Sequence, residues 1–365
     1  MKKKIEKSES KKLSKKLLKL KNDNVDILNF FDLKLKKSDI DSKSTISSET
    51  AETSSILSFD NFTNKNKFIK KQTTLDYFGI NIPKANNENN FPILKNNTKL
   101  KIIHWNINGI KSIINKGYLQ EMVNKEKPDI FCLNETKITQ ENLIKEKYDF
   151  LFNKDYLSYW NFSSIKKGYS GVAIFTKYQP IKITYKTGIK EIDLEGRVIY
   201  LEYSDFIILS VYVPNGGSRF EYRVTKWDPI FRKLICDLKM KYKKDIIICG
   251  DFNVCNKEID LSSPELYEGN PTFSDEERVN FKQLLGDADL IDIYRHMHPL
   301  NQSFSWFGNK WDKLGNKGRR LDYFLISKSL INNIKKSGIL KKYDGSDHVP
   351  IYIEYLNEKK NENII

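Results

Sequence analysis

The chain has 365 residues, a formal charge of +15 and a mean hydropathy of −0.56, polar overall yet with 39% hydrophobic residues. No run approaches the ~18 apolar residues of a membrane span, and the Lys-rich start leads into no apolar signal core, so a soluble, unsecreted protein is expected. Cys132, Cys236, Cys249 and Cys255 form no CxxC pair and mostly sit in apolar runs, which excludes a disulfide framework and a zinc site and fits a reducing compartment.

The charge is uneven. Residues 1–100 carry 21 Lys against 12 acids, and residues 101–365 carry 41 basic against 35 acidic side chains. Residues 1–97, rich in Lys, Ser, Asn and Asp, offer too little apolar surface to offset the entropy of ordering and are expected to be disordered. A folded domain is expected over 98–357, followed by a polar tail over 358–365. The basic run of Lys2 to Lys4, Lys11, Lys12, Lys15 and Lys16 suits nuclear import or loose attraction to DNA phosphates. A nuclear address is therefore expected. A mitochondrion or another DNA-containing organelle is the alternative, against which count the lack of Arg in the first 100 residues and the presence of Glu6 and Glu9. Two stretches resemble the sliding-clamp-binding box: 72–79, with Gln72, Leu75 and Phe78 in place but Gly79 last, and 24–31, with Phe30 and Phe31 but Asn24 for Gln.

From Lys99 onward apolar runs alternate with amphipathic ones. Strands are expected at 100–105, 129–133, 171–176, 198–203, 206–213, 246–250, 321–326 and 350–355. A helix is expected at 118–125, and Val224, Trp227, Phe231, Leu234 and Leu238, at spacings of three and four, predict another of about five turns. Ser274 followed by Glu277 is a capping box that opens a third. Strands outnumber helices and several connections are short, which predicts a mixed α/β class; no repeat of short fixed period is present.

Polar residues stand at the strand ends: Asn106 and Asn108, Asn134 and Glu135, Asn215, Asp251 and Asn253, with Asp347 and His348 before the last strand and Asp322 in another. Ligand sites of layered α/β proteins gather beyond the carboxyl ends of strands. Carboxylates and carboxamides suit a hard cation, Mg²⁺ or Mn²⁺. With no Gly-rich phosphate loop, such a set points to metal-assisted phosphodiester hydrolysis, Asn and His donors stabilising the transition state. His104, His296 and His298 have no such context and are expected to be structural or exposed.

Seven motifs occur in the order of the exonuclease III family of abasic-site DNA endonucleases: Trp105-Asn106-Ile107-Asn108-Gly109, Leu133-Asn134-Glu135-Thr136-Lys137, Gly168-Tyr169-Ser170-Gly171, Tyr212-Val213-Pro214-Asn215, Gly250-Asp251-Phe252-Asn253-Val254, Arg320-Leu321-Asp322-Tyr323 and Ser346-Asp347-His348. The chain resembles that family over about 99–355. The resemblance implies the exonuclease–endonuclease–phosphatase fold: a four-layer α/β sandwich, two packed mixed β-sheets flanked by helices. It implies an Mg²⁺-dependent (or Mn²⁺-dependent) endonuclease, acting as a monomer, that cuts duplex DNA 5′ to an abasic site and also trims 3′ ends.

By the same resemblance Glu135 is the principal metal ligand, with Asn108 and Asp347 near the metal and Asp251, Asn253 and His348 around it. Asp251 positions or deprotonates water and Asn106 holds Asp251. Asn253, Asn215, Tyr212 and His348 contact the scissile phosphate, and Asp322 orients His348. Tyr169, Arg223, Lys137, Trp306 and Leu321 are expected to contact DNA, Trp306 lining the pocket for the base-free sugar. The chain departs from the family twice: the basic insertion found in eukaryotic members after Tyr-Val-Pro-Asn is shortened to Gly216-Gly217-Ser218-Arg219, and Arg319 stands where Trp is common. An inositol-phosphate phosphatase is disfavoured by the Leu-Asn-Glu-Thr-Lys and Arg-Leu-Asp-Tyr forms. Retention of every acid argues against a non-catalytic DNA-binding or clamp-tethered scaffold.

Overall fold

The computed structural model describes residues 91–358. The expectations on residues 1–90 and 359–365, among them the boxes with Gln72, Leu75 and Phe78 and with Phe30 and Phe31, lie outside the described residues. No helix of the described part is long and apolar enough to cross a membrane.

The strands are β1 (Thr98–Asn106), β2 (Ile130–Asn134), β3 (Leu157–Asn161), β4 (Val172–Thr176), β5 (Lys182–Thr184), β6 (Val198–Glu202), β7 (Phe206–Tyr212), β8 (Asp245–Asp251), β9 (Leu290–Asp292), β10 (Asp322–Ser327), β11 (Ile334–Ile339) and β12 (Ile351–Asn357). They form two six-stranded sheets, ordered β11-β12-β1-β2-β4-β3 and β5-β6-β7-β8-β10-β9. Each has a single parallel pair at its centre, β1/β2 and β7/β8, and antiparallel neighbours elsewhere. A parallel pair needs a crossover. Helices α1 (Ile110–Asn115) and α2 (Tyr118–Glu126) supply the first, and α3 (Asp228–Tyr242) supplies the second.

Alternation of side chains along each strand builds the layers. Leu100 and Ile102 of β1, Ile130 and Cys132 of β2, Ile208 of β7, Ile247 and Cys249 of β8, and Phe324 and Ile326 of β10 fill the space between the sheets. On the opposite faces, Ile103, Trp105, Phe131 and Leu133 pack on Ile110, Ile113, Leu119 and Met122. Ile207, Leu209, Ile246 and Ile248 pack on Trp227, just before α3, on Phe231, Leu234 and Leu238 of α3 and on Phe281 and Leu284 of α4 (Asp275–Asp287). The result is the expected four-layer sandwich.

Three details differ from the sequence reading. Leu94, within the stretch expected to be disordered, is buried in the inter-sheet core, and Gln179 N–H donates to Pro92 O at 3.0 Å; the apolar run 91–94 that carries it is too short to show a period. The helix expected as a unit opens instead with a π-helical turn, Arg223–Trp227, before α3. That extra residue turns Val224 off the core face and carries Arg223 inward. Four strands absent from the expectation, β3, β5, β9 and β11, are the four sheet edges. An edge has one partner and short or polar stretches such as Lys335 and Lys336, so it lacks the alternation that marks a central strand.

Candidate active site

The inward-facing rows turn polar at one end. On β1 the row Leu100, Ile102 continues with His104 and Asn106; on β2 it ends in Asn134, on β7 in Ser210 and Tyr212, and on β8 in Asp251, while β10 begins with Asp322. The carboxyl ends of both parallel pairs therefore meet at one edge of the sandwich. Asn134 ties the sheets there, its Oδ1 accepting from Ser210 Oγ at 3.1 Å and its Nδ2 donating to Val211 O. Gly250 belongs to its motif for a local reason: a Cβ would run into the Val211 carbonyl of the adjacent parallel strand.

Just past the strand ends the backbone turns sharply. Asn108, Glu135, Lys137 and Asn253 all have positive φ, between 46° and 54°, a conformation uncommon outside Gly and enriched at functional sites. Hydrogen bonds hold these turns: Gly109 N–H to Glu135 O at 2.8 Å, and Thr136 and Lys137 N–H to Gly171 and Ser170 O at 3.1 and 2.9 Å. The 346–348 loop is pinned by Ser346 Oγ donating to Asn106 O at 2.8 Å and by Trp105 Nε1 donating to His348 O at 3.0 Å.

Asn106 is the hub. Its Nδ2 lies 2.9 Å from Glu135 Oε1 and 2.9 Å from Asp251 Oδ2. Asp251 also accepts from Asn253 N–H at 2.9 Å, Asn253 Nδ2 donates to Val213 O at 3.0 Å, and Asn215 Nδ2 donates to Asn253 Oδ1 at 3.0 Å. Asp322 Oδ2 lies 2.8 Å from His348 Nδ1, and His348 Nε2 faces Asp251 Oδ2 at 3.7 Å. Asp347 Oδ1 accepts from Asn108 Nδ2 at 2.9 Å and its Oδ2 from Trp306 Nε1 at 3.0 Å.

These contacts set the protonation states. Burial pushes Asp251 up to about 7, helped by the Asp322 and Glu135 carboxylates and opposed by His348. Burial also works against a charged His348, but Asp322 and Asp251 outweigh it and push the imidazole up to about 10. Asp322 is held down against its burial by His348 and His104, and Glu135 against its burial by Lys137 and Asn106. Burial, with Glu135 and Asp251 adding to it, raises Tyr212 well above an ordinary phenol. At neutral pH the edge thus presents ionised Glu135 and Asp322, an Asp251 with raised proton affinity, a phenol that keeps its proton and a protonated imidazole.

A divalent cation fits this donor set. Glu135 Oε2, 2.7 Å from Lys137 Nζ, and Asn108 Oδ1 both point at that ammonium, so two hard oxygens already surround a positive charge, with Asp347 adjacent. Among the described residues no group of three or more His, Cys, Asp or Glu is placed to hold a metal ion, so the donors here are one carboxylate and one carboxamide beside Asp347. A centre with few protein ligands leaves positions for water and phosphate oxygens, as hard Mg²⁺-type ions prefer.

The remaining expected residues divide. Tyr169 and Trp306 lie at the rim, half-buried. Arg223 and Leu321 do not reach it: both are buried, and Arg223 donates to Pro214 O at 2.6 Å, Phe252 O at 2.9 Å and Asp228 Oδ1 at 2.7 Å. Rather than touching DNA directly, Arg223 braces the turns that carry Asn215 and Asn253. Its inward course follows from the π-helical turn, which motif order could not reveal. Sequence reasoning missed Arg197, Arg219 and Glu195 around Tyr169, whose hydroxyl receives Arg197 Nη2 at 2.6 Å and Arg219 Nη1 at 3.1 Å. His104, expected to be structural or exposed, is fully buried and contacts Asp322, a partner that the expectation did not include. Its position two residues before Asn106, on the same face of β1, was the available signal.

Known proteins resemble this chain in sequence and fold. Residues 103–348 match the Endonuclease/Exonuclease/phosphatase family. The chain is 39% identical to an exodeoxyribonuclease of Bacillus subtilis over 69% of its own length and 98% of that protein's. It is 40% identical to a DNA-(apurinic or apyrimidinic site) endonuclease of Dictyostelium discoideum, over 69% of this chain and 70% of the other. The crystal structure of an AP endonuclease from Leishmania major superposes with a TM-score of 0.63 at 25% identity, covering 73% of this chain and 92% of that one. The shared sandwich, the polar edge where its two parallel pairs end and the length of these matches lead to one conclusion: the chain belongs to the endonuclease/exonuclease/phosphatase family, beside its abasic-site endonucleases and exodeoxyribonucleases.

Proposed function

We propose that this chain is a DNA-repair hydrolase that cleaves the phosphodiester 5′ to an abasic site, leaving a 3′-hydroxyl, with 3′-end trimming as a secondary activity. The observation that carries this reading is the convergence of Asn106, Glu135, Asp251, Asn253, Asp322 and His348 on one edge within direct hydrogen-bonding or ion-pair distance. Glu135 and Asn108, with Asp347 beside them, would hold a divalent cation, Mg²⁺ or Mn²⁺. A cation held there would supply Lewis-acid polarisation of a phosphoryl oxygen and charge stabilisation for the leaving alkoxide.

The protein groups supply the rest. Asp251, held by Asn106 and by Asn253 N–H, takes a proton from water; its elevated affinity for a proton suits a general base near neutral pH. His348, protonated on both ring nitrogens and lying between two carboxylates, donates to a phosphate oxygen, and Tyr212 and Asn215 add neutral donors toward developing charge, while Asn253 holds Asn215 and Asp251 in place. Tyr169, Lys137 and Trp306 line the approach of the duplex. In this reading the enzyme works as a monomer in the nucleus, and the tail containing Gln72, Leu75 and Phe78 offers a sliding clamp a hydrophobic plug.

Incubating the full chain with a duplex bearing one abasic analogue, with and without Mg²⁺, tests the activity. A cation-dependent nick 5′ to the lesion, lost in Glu135→Ala and His348→Ala, is expected; intact duplex, or unchanged rates in both variants, overturns it. Clamp binding should disappear in Phe78→Ala while cleavage persists.

A further inference from the structure

His104 is a buried titratable group that the hydrolytic scheme above does not use. It lies on the inter-sheet face of β1, fully buried, paired in the sheet with Cys132 and Ile351. Its Nε2 is 2.9 Å from Asp322 Oδ1, while the second oxygen of the same carboxylate, Oδ2, is 2.8 Å from His348 Nδ1. Asp322 is therefore held between two imidazoles, one from each flank of the site. An ionised carboxylate only accepts hydrogen bonds, so His104 carries its proton on Nε2. Burial disfavours a second proton on this ring despite the nearby carboxylate. The other nitrogen, Nδ1, is buried and has no hydrogen-bond partner among the described residues. Leaving a buried polar atom unpaired opposes stability, so this imidazole is an expensive way merely to fill space.

We propose that His104 is a positioning residue of the hydrolytic centre. The χ2 torsion of an Asp side chain is broad and nearly two-fold, so a lone imidazole partner does not define the plane of its carboxylate. With Oδ1 anchored by His104, Oδ2 is presented to His348 in one orientation, and His348 Nε2 is aimed toward Asp251 and the phosphate. His104 touches neither substrate nor cation; it acts through Asp322. The backbone below is fixed separately, by Ser305 Oγ accepting from the N–H groups of Leu321 and Asp322 at 3.1 and 3.0 Å. Only the carboxylate plane is left for His104 to set.

The inference rests on the proposed hydrolysis, and its test includes a reading that does not. Full-length His104→Leu removes the donor at similar volume, and His104→Gln places an amide N–H near the position of Nε2. Kinetics on the abasic duplex give kcat and KM. Proton NMR follows the downfield His348 Nδ1–H resonance, assigned by its disappearance in His348→Gln.

In His104→Leu, kcat is expected to fall about 10- to 100-fold, the usual cost of losing a partner one step behind a reacting group. KM should stay within about threefold, and the His348 resonance should shift or broaden; His104→Gln should restore both readouts. An unaltered kcat and resonance in the Leu variant overturns the proposal. So does a folded Gln variant as impaired as the Leu variant, which would mark a packing role. If the Leu variant fails to fold, the Gln variant decides alone, retention of the resonance supporting the proposal and its loss overturning it. Should the wild-type protein show no cleavage, the hydrolytic reading fails while the NMR comparison still reports on the His104–Asp322–His348 chain.

Discussion

Asp251 and Asp322 are directly opposite one another, cross-strand partners on β8 and β10. Two like charges so placed destabilise a sheet. The conflict is resolved by His348, whose ring lies between them with Nδ1 2.8 Å from Asp322 and Nε2 3.7 Å from Asp251. Asp322 stays ionised, Asp251 gives way, and the imidazole holds its proton. The three groups titrate as a unit.

A bell-shaped pH–rate profile follows. Asp251 must lose its proton to act as base, so cleavage at saturating Mg²⁺ should rise as pH climbs through about 7, or lower where the cation draws the carboxylate down. His348 must keep its proton to donate, so the rate should fall as pH passes about 10. His348→Gln should remove the alkaline limb and move the acid limb to higher pH, because the imidazolium that opposes the effect of burial on Asp251 is gone. A profile still rising above that range would take His348 out of its donor role.

Asn253 donates through Nδ2 to Val213 O and Asp251 Oδ2 and receives Asn215 on Oδ1, so Asn253→Ala frees Asn215, a donor at the phosphate position, and loosens Asp251. Loss of a preorganised donor of this kind costs about 2.7 to 4 kcal/mol, roughly 10² to 10³ in rate. Single-turnover cleavage should show that loss in the chemical step, with duplex affinity nearly unchanged.

Metal affinity should depend on Glu135 more than on any neighbour. Titration calorimetry with Mn²⁺ should show Glu135→Ala weakening binding by more than the roughly 10- to 100-fold typical of an outer-layer partner. Lys137→Met should strengthen it, because the ammonium that engages Glu135 and Asn108 competes for the same oxygens. Equal affinity in wild type and Glu135→Ala would place the cation elsewhere.

Behind the site lies a buried ionic cluster. Arg320 Nε is 2.8 Å from Asp260 Oδ1 and its Nη2 2.6 Å from Asp292 Oδ2, while Arg295 Nη2 also reaches Asp260 Oδ1 at 2.6 Å. Arg320→Met leaves Asp292 without its cation and Asp260 with half of its own, and should cost about 3 to 5 kcal/mol. The urea midpoint should fall with an unchanged m-value. The exposed Arg278–Asp275 pair should be worth no more than about 1 kcal/mol.

Acid stability has a named contributor away from the site. Burial opposes ionisation of Glu126, yet Lys101, Lys342 and the Tyr343 hydroxyl hold it down to about 2 from an ordinary 4.5. A depressed carboxylate adds stability above its unfolded value and loses it as pH falls toward the folded one. Melting temperatures should therefore drop between those two pH values, and less so in Glu126→Gln; parallel curves for both proteins would remove Glu126 as a cause.

Much of this was legible in one dimension. The central strands were marked by apolar runs or, in β12, by alternation, and α4 by its capping box, because burial and helix initiation both leave local chemical signatures. The polar strand ends were visible as well. The edge strands were not, because their short or polar stretches carry no alternation, nor was the π-helical turn that draws Arg223 inward, which leaves local composition unchanged. Arg197 and Arg219 converge on Tyr169 from residues 28 and 50 positions away, a separation that no short motif spans.

What the amino-acid order determined by itself was the chemistry available: hard oxygen donors, one well-placed imidazole and the strands to carry them, because composition and period are local properties. Which groups share a proton, and which only brace others, was decided by the packing of two sheets. Folding places Asp251 against Asp322, slides His348 between them and sets His104 behind, and only at those distances do burial and neighbouring charge separate the proton affinities of otherwise ordinary side chains.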